Sequence, residues 1–240
     1  MINYHPTKAV LEQYVNGDLP ATVSVIVSSH IELCEQCREQ VALLTEQAAN
    51  EIFVEDDFSS TEEDLNAMFS DLVSNISETS FSLDEEELEM IEAIASNDSE
   101  QPLSNPPQTI VEIEVGGKRI ALPRAMKSIA LSDWKGIGKV SRSRLALEDS
   151  NLKASLLHID KGGEIPAHTH KGFEITLLLE GSFKDEMGEY HVGDFIWLDG
   201  EHNHSPVTEE GCICLTVSSD ALQFTKGVSQ LINPLGKYIY

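Results

Sequence analysis

The feature that most constrains the fold is a long acidic stretch with no basic residue. No Lys or Arg occurs between Glu39 and Gly117, although Asp and Glu are dense there. Most stretches of this kind are disordered, because like charges repel and little apolar surface can be buried. A proline-rich run at residues 97–108 closes it. We therefore expect an N-terminal domain at 1–80, an acidic helix and linker at 81–108, and a C-terminal domain at 109–240.

The N-terminal part is predicted to be helical. Apolar residues recur at helical spacing in residues 9–15, 19–27 and 34–49. A further amphipathic helix is predicted inside the acidic stretch, where Ser60 and Glu63 can form a capping box ahead of it. Its apolar stripe could pack on the preceding helices or bind a partner. That stripe consists of Leu65, Met68, Phe69, Leu72, Val73 and Ile76.

The C-terminal part is predicted to be an antiparallel β-sandwich or small barrel. Short segments rich in β-branched and aromatic residues, separated by glycines, are typical of this architecture. The strand candidates are residues 110–115, 154–159, 175–179, 195–198 and 213–217. The predicted fold class is therefore α + β with two domains, a small helical zinc-binding bundle followed by the β domain.

A metal site is predicted in the helical part. Cys34 and Cys37 lie one helical turn apart, and His30 lies four residues before Cys34. On one continuous helix the three side chains share a face. If the chain instead breaks near Glu32, the cysteines begin a new helix, whose N-terminus favours thiolates. Both geometries allow a Zn²⁺ site, with His5 as the fourth ligand. The alternatives are a redox pair or two buried thiols.

A second metal site is predicted in the β part, from a different set of ligands. His168 and His170 point to the same side of a strand, and Glu174 keeps that parity if the pairing continues. A downstream His204 completes the set, with His202 as its rival. Imidazoles with a carboxylate suit a divalent metal, Zn²⁺, Mn²⁺, Fe²⁺ or Ni²⁺.

Two further cysteines, Cys212 and Cys214, are predicted on one face of a strand. They are interpreted mainly as small core residues and, as the alternative, as a candidate redox pair.

The charge constrains the partners. The formal net charge of −25 argues against direct nucleic-acid binding, which uses basic surfaces. It suits a basic protein partner, and the simpler alternative is that the acidity only aids solubility.

No apolar run is long enough to span a membrane, and the N-terminus lacks the pattern of a signal peptide. We therefore expect a cytoplasmic protein.

Both parts of the chain resemble known families. The spacing Gly163-(x4)-His168-x-His170-(x3)-Glu174-(x6)-Gly181, followed by Gly193-(x10)-His204, is similar to the paired motifs of the cupin superfamily. It departs from them by one residue fewer between glycine and histidine, and by Asp199 and Glu201 in place of the usual proline and glycine. That alignment selects His204 over His202. The N-terminal pattern of His5, His30, Cys34 and Cys37 resembles the zinc-binding anti-sigma domain. The combination resembles the ChrR-type anti-sigma factors.

This resemblance implies a function. The N-terminal domain would hold an extracytoplasmic-function (ECF) sigma factor in a 1:1 complex. The cupin domain would sense an oxidative signal such as singlet oxygen, and the sigma factor would then be released. The amphipathic helix at residues 65–76 would correspond to the fourth, sigma-binding helix. No catalytic residue is implied. The competing hypothesis is a cupin metalloenzyme, a dioxygenase or isomerase, with an unrelated helical zinc-binding appendage.

Overall fold

The computed structural model describes residues 2–55, 70, 112–147, 149 and 151–226. The chain divides into two compact units, one made of Met1–Ala49 with Thr109–Tyr240 and the other of Asn50–Gln108. Apart from the last residues of the third helix, the elements below belong to the first unit. Within the described residues, no helix is long and apolar enough to cross a membrane.

Three helices occupy the N-terminal residues, as the apolar periodicity predicts. They are α1 (Lys8–Asn16), α2 (Ala21–Leu33) and α3 (Glu35–Glu55). The side chain of Thr7 caps α1 by accepting the N–H of Val10 at 3.4 Å. Pro20 directly precedes α2, where its missing N–H costs nothing.

Antiparallel strands form the C-terminal part, which confirms the predicted β architecture. They are β1 (Glu112–Val115), β2 (Lys118–Ala121), β3 (Lys135–Ile137), β4 (Val140–Arg144), β5 (Lys153–Ile159), β6 (His168–His170), β7 (Phe173–Lys184), β8 (Glu189–His191), β9 (Phe195–Asp199), β10 (Cys212–Ser218) and β11 (Leu222–Phe224), with a short 3₁₀ turn at Arg124–Met126. The hairpin of β1 and β2 turns on Gly116 and Gly117, whose φ angles are 57° and 73°. Two consecutive positive φ angles suit the two-residue turn that matches strand twist.

The largest sheet has the strand order β3-β4-β5-β10-β7-β8, and β9 also pairs with β7. The long strand β7 pairs with β10 along one edge. Along its other edge it pairs first with β9 and then with β8. Strands β6 and β11 form a separate two-stranded sheet. This arrangement places the start of β7 close to β6, so that the predicted histidine and glutamate ligands approach one another.

The helices and the strands share one apolar core. Leu11 of α1 and Ile26 and Val27 of α2 are fully buried in the same cluster as Leu156 of β5 and Leu215 of β10. Polar contacts also join α2 to the C-terminal part, since Asp149, between β4 and β5, accepts the N–H of Thr22 at 2.7 Å. Glu32 likewise accepts the N–H of Arg124 at 2.7 Å. The helical part is therefore packed on the C-terminal domain rather than standing apart from it.

This packing predicts a large effect for truncation of Ile26. Ile26→Ala should lower the free energy of unfolding by about 2–5 kcal/mol, because a wholly buried side chain leaves a cavity in a core that both parts share. Leu43→Ala is the matched control, since Leu43 is 60% exposed on α3 and should change stability by about 0.5 kcal/mol or less. Urea unfolding followed by circular dichroism measures both variants, and equal losses would contradict the shared core.

Candidate metal centres

Four predicted ligands meet at the junction of the helices. His5 precedes α1, His30 lies in the last turn of α2, Cys34 lies between α2 and α3, and Cys37 lies in the first turn of α3. One potential ligand atom from each side chain lies within 4.8 Å of the other three. We call these four residues the N-terminal cluster.

The distances within the N-terminal cluster fit a metal ion. His30 Nε2 lies 3.3 Å from Cys37 Sγ, and His5 Nδ1 lies 3.4 Å from the sulfurs of both Cys34 and Cys37. A zinc tetrahedron with bonds of about 2.3 Å to sulfur and about 2.0–2.1 Å to nitrogen has nitrogen–sulfur edges of roughly 3.5 Å. The four side chains are therefore spaced as such a site requires.

The helical path breaks at Cys34, so the second of the two predicted geometries, a new helix starting near the cysteines, is the observed one. Cys34 has an extended backbone, with φ −110° and ψ 108°, and separates α2 from α3. The N–H of Cys37 lies 3.5 Å from the sulfur of Cys34, as expected at the start of a helix. A single continuous helix through His30 and Cys37 is wrong, because this extended residue redirects the backbone.

The metal-free N-terminal cluster is poorly suited to hold charge. Burial and the neighbouring Cys34 raise the pKa of Cys37 to about 12. Burial lowers the pKa of His30 to about 4. Buried thiols ionise when a cation binds, because the positive charge stabilises the thiolate that desolvation alone disfavours. Cys37 therefore does not have the lowered pKa that the attacking thiol of a redox pair needs, and the four donors fit a metal ion.

The second predicted set of ligands also meets in one place. His168 and His170 point inward from β6, Glu174 lies on β7, and His204 pairs with His168 through two backbone hydrogen bonds of 3.0 Å. The potential ligand atoms of the four side chains lie within 4.8 Å of one another. His170 Nε2 is 3.4 Å from His204 Nε2 and 3.2 Å from Glu174 Oε2. We call these residues the C-terminal cluster.

His202, the rival ligand, lies outside the C-terminal cluster. Its exposed side chain contacts Asp199, with Nδ1 2.7 Å from the carboxylate. The choice of His204 by alignment with the cupin motif agrees with this geometry.

Hydrogen bonds orient two of the three imidazoles of the C-terminal cluster. His168 Nδ1–H donates to the carbonyl of Pro166 at 2.9 Å, and His204 Nδ1–H donates to Asp185 Oδ2 at 3.0 Å. Each bond leaves Nε2 free to face the cluster. The Nδ1 atom of His170 is buried and has no hydrogen-bond partner among the described residues.

Asp185 is a site residue that the sequence analysis missed. Its side chain is 1% exposed and accepts hydrogen bonds from the N–H groups of Met187 and Gly188 and from the hydroxyl of Tyr190. Burial acts to raise the pKa of Asp185, but the hydrogen bonds from His204 and from the N–H groups of Met187 and Gly188 outweigh it and hold the pKa below its usual value. No sequence spacing indicates this residue as a partner of His204. Asp185 directly follows the end of β7, and the fold brings it to His204.

Burial favours the neutral form of two imidazoles in the C-terminal cluster, those of His168 and His170. Burial, with the nearby His204, lowers the pKa of His168 to about 3. Burial also lowers the pKa of His170, against the opposing effect of Glu174. Neutral imidazoles and one carboxylate form a donor set that divalent cations prefer, so this cluster too fits a metal ion.

Comparison with known proteins finds a family that resembles the C-terminal part of the chain. Residues 124–221 match the family model described as the ChrR cupin-like domain. We call residues 124–221 the ChrR cupin-like domain, after the family model that they match. The match covers β3 to β10 and all four residues of the C-terminal cluster.

The similarity extends beyond the ChrR cupin-like domain. The chain is 28% identical over 243 residues to the anti-sigma-E factor ChrR of Cereibacter sphaeroides, covering 97% of each protein. A crystal structure of Rhodobacter sphaeroides SigE in complex with the anti-sigma ChrR aligns with a TM-score of 0.57 at 24% identity, covering 91% of this chain and 99% of that one. The structural match shows that the fold is shared. The resemblance to ChrR-type proteins stated from the sequence is confirmed.

The remaining predicted site residues have different outcomes. Cys212 and Cys214 are buried on β10 within the ChrR cupin-like domain, and neither forms a disulfide. The hydrogen bond with Cys212, together with burial, raises the pKa of Cys214. A redox role for this pair stays a prediction.

The six apolar residues of the predicted partner-binding helix, from Leu65 to Ile76, lie outside the described residues.

The buried histidines predict how the stability of the metal-free protein depends on pH. The folded-state pKa values of His30 and His168, about 4 and about 3, lie below the ordinary value of 6.5. Below pH 6.5 the unfolded chain therefore binds protons that the folded chain does not. The free energy of unfolding should fall from pH 7 toward pH 4, by up to about 1.4 kcal/mol per pH unit for each group.

Urea unfolding of the metal-free protein at pH 7, 6 and 5 measures this slope. His30→Asn should reduce it, whereas His191→Asn should not, because the His191 side chain is 52% exposed. The same slope in parent and His30→Asn would show that His30 already titrates in the folded state.

Proposed function

We propose that this protein is an anti-sigma factor that binds an ECF sigma factor and releases it on an oxidative signal. The observation that carries the proposal is the similarity to the anti-sigma-E factor ChrR over 97% of both chains, combined with two complete ligand clusters. The solved relative is itself bound to SigE. The place of action is the cytoplasm, where sigma factors meet RNA polymerase.

The N-terminal cluster serves as a structural zinc site. Two thiolates and two imidazoles satisfy the four positions of Zn²⁺ and leave none open for substrate. His30, Cys34 and Cys37 are buried, and the four ligands come from three successive segments of the chain. A bound ion would therefore fix the N-terminal segment, α2 and α3 relative to one another.

The partner surface combines apolar and acidic character. The predicted helix bearing Leu65, Phe69 and Ile76 supplies an apolar stripe that suits docking into a groove. The net charge of −25 favours association with a protein that is basic because it binds DNA. Both features fit a sigma factor and do not fit direct binding of this chain to nucleic acid.

The ChrR cupin-like domain serves as the signal input. His168, His170, Glu174 and His204 hold a divalent metal, with Zn²⁺ favoured and Mn²⁺, Fe²⁺ or Ni²⁺ as alternatives. When bound, such an ion supplies a Lewis-acidic centre that can accept a further ligand. The protein's own residues orient the imidazoles, through Pro166 and Asp185, and bury them. We assign no catalytic residue.

The zinc proposal predicts that the N-terminal cysteines are needed for sigma binding. The double variant Cys34→Ala, Cys37→Ala should lose the N-terminal zinc and the sigma complex together, because structural zinc contributes on the order of 10 kcal/mol to folding of the site. The variant is co-expressed with each ECF sigma factor of the source genome, and complexes are measured by size exclusion with metal analysis.

The matched control removes the other two thiols. Cys212→Ala, Cys214→Ala should keep the N-terminal zinc and the complex, since neither sulfur belongs to the N-terminal cluster. A folded, zinc-loaded parent protein that bound none of the sigma factors would refute the proposed function.

The sensing proposal predicts that the C-terminal cluster is needed for release of the sigma factor but not for binding it. His170→Ala should remove one of the four ligands of the C-terminal cluster and lower its metal content, yet retain the sigma complex. Singlet oxygen, generated with light and a photosensitiser, should release the sigma factor from the parent but not from this variant. His202→Ala, whose side chain lies outside the cluster, should respond like the parent. Equal release from His170→Ala would place the sensor elsewhere.

A further inference from the structure

The turn between β8 and β9 contacts the N-terminal segment that carries His5. Asp194 in this turn is fully buried, and its Oδ1 accepts the N–H of Asn3 at 2.7 Å and of Tyr4 at 3.1 Å. Its Oδ2 accepts the N–H of His191 at 2.8 Å, which fixes the carboxylate to its own turn. One buried carboxylate thus ties the turn to the two residues that precede His5.

A second set of contacts holds the same segment. The N–H of Phe195 donates to the carbonyl of Tyr4 at 3.0 Å. The rings of Tyr4 and Tyr190 pack with their centroids 4.8 Å apart. The backbone and the side chain of Tyr4 are therefore both held by the ChrR cupin-like domain, directly beside the ligand His5.

The turn also contacts His30 directly. His30 Nδ1–H donates to the carbonyl of Gly193 at 2.8 Å, and the ring of Phe195 packs edge-on against the imidazole at 5.6 Å. Because a carbonyl can only accept, this bond keeps the proton on Nδ1 and leaves Nε2 facing Cys37. Glycine suits this position, since Gly193 has φ 92° and an added Cβ would lie 2.4 Å from Ile2 Cδ1.

We propose that Gly193 and Asp194 of the ChrR cupin-like domain are positioning residues of the N-terminal metal site. Gly193 sets the tautomer and orientation of His30, and Asp194 sets the path of the backbone that delivers His5. Two of the four ligands thus depend on a domain that contributes no ligand itself. The inference rests on the proposed function only in that the N-terminal cluster binds a metal ion.

Residues that position metal ligands have a typical effect on metal affinity. Groups that hydrogen-bond to metal-ligating imidazoles or fix their approach typically change metal affinity by about 10–100-fold when mutated. Asp194→Asn retains the shape of the side chain but turns one acceptor into a donor. The single amide oxygen can then accept from the N–H groups of Asn3 and Tyr4 or from that of His191, but not from both sides.

The test uses the full-length protein loaded with Co²⁺ in place of zinc. Cobalt–thiolate charge-transfer absorption needs a sulfur ligand, so it reports on the N-terminal cluster and not on the C-terminal cluster, whose ligands are imidazoles and a carboxylate. Competition with a chelator gives the affinity for Co²⁺. Asp194→Asn should weaken it by about 10–100-fold.

The matched control is Asp199→Asn at the far end of β9. The Asp199 side chain is 56% exposed and contacts His202, so this variant should bind Co²⁺ as the parent does. An Asp194→Asn affinity within twofold of the parent and the control, in a folded protein, would overturn the inference. If the parent itself shows no cobalt–thiolate absorption, the zinc part of the proposed function fails instead.

A measurement on the parent protein covers the case in which Asp194→Asn does not fold. In the zinc-loaded protein, the His30 Nδ1–H proton should give a nuclear magnetic resonance signal that exchanges slowly with water, because it is buried and bonded to the Gly193 carbonyl. Rapid exchange of this proton in the folded, zinc-loaded protein would show that the bond does not form.

Discussion

A buried imidazole that is to bind a metal must stay neutral and must place its other nitrogen against a suitable partner, and this requirement shapes both clusters. His30 uses the carbonyl of Gly193, His168 the carbonyl of Pro166, and His204 the carboxylate of Asp185. In each case the partner decides which nitrogen faces the other ligands. The positions of turns and strand ends in the ChrR cupin-like domain are therefore tied to the geometry of both sites.

The two clusters of candidate ligands could be predicted from the sequence, because their chemistry leaves a local pattern. Cysteines three residues apart and histidines two residues apart define a shared face on a helix or strand, and His204 followed from the cupin motif. Their partners leave no such pattern. Gly193 is 163 residues from His30 in the chain, and Asp185 is 19 residues from His204. Only the folded structure brings them together.

The fold was predictable to a similar degree and for a similar reason. The helices and the longer strands carry enough residues for their apolar periodicity to show. Strands β3, β8 and β11 have three residues each, too few for alternation to be recognised. The break at Cys34 could not be decided from the sequence either, because no glycine or proline marks it. It follows from the extended backbone of a single residue.

The hydrogen bond from His30 to Gly193 has a practical consequence for how the N-terminal cluster is studied. An isolated fragment containing the helices would keep all four ligands of the N-terminal cluster, yet it would lack the carbonyl that accepts from His30 Nδ1 and the carboxylate beside Tyr4. Water would take over both roles. Metal affinities measured on such a fragment would describe a looser site than the one in the intact chain, even if every ligand were present.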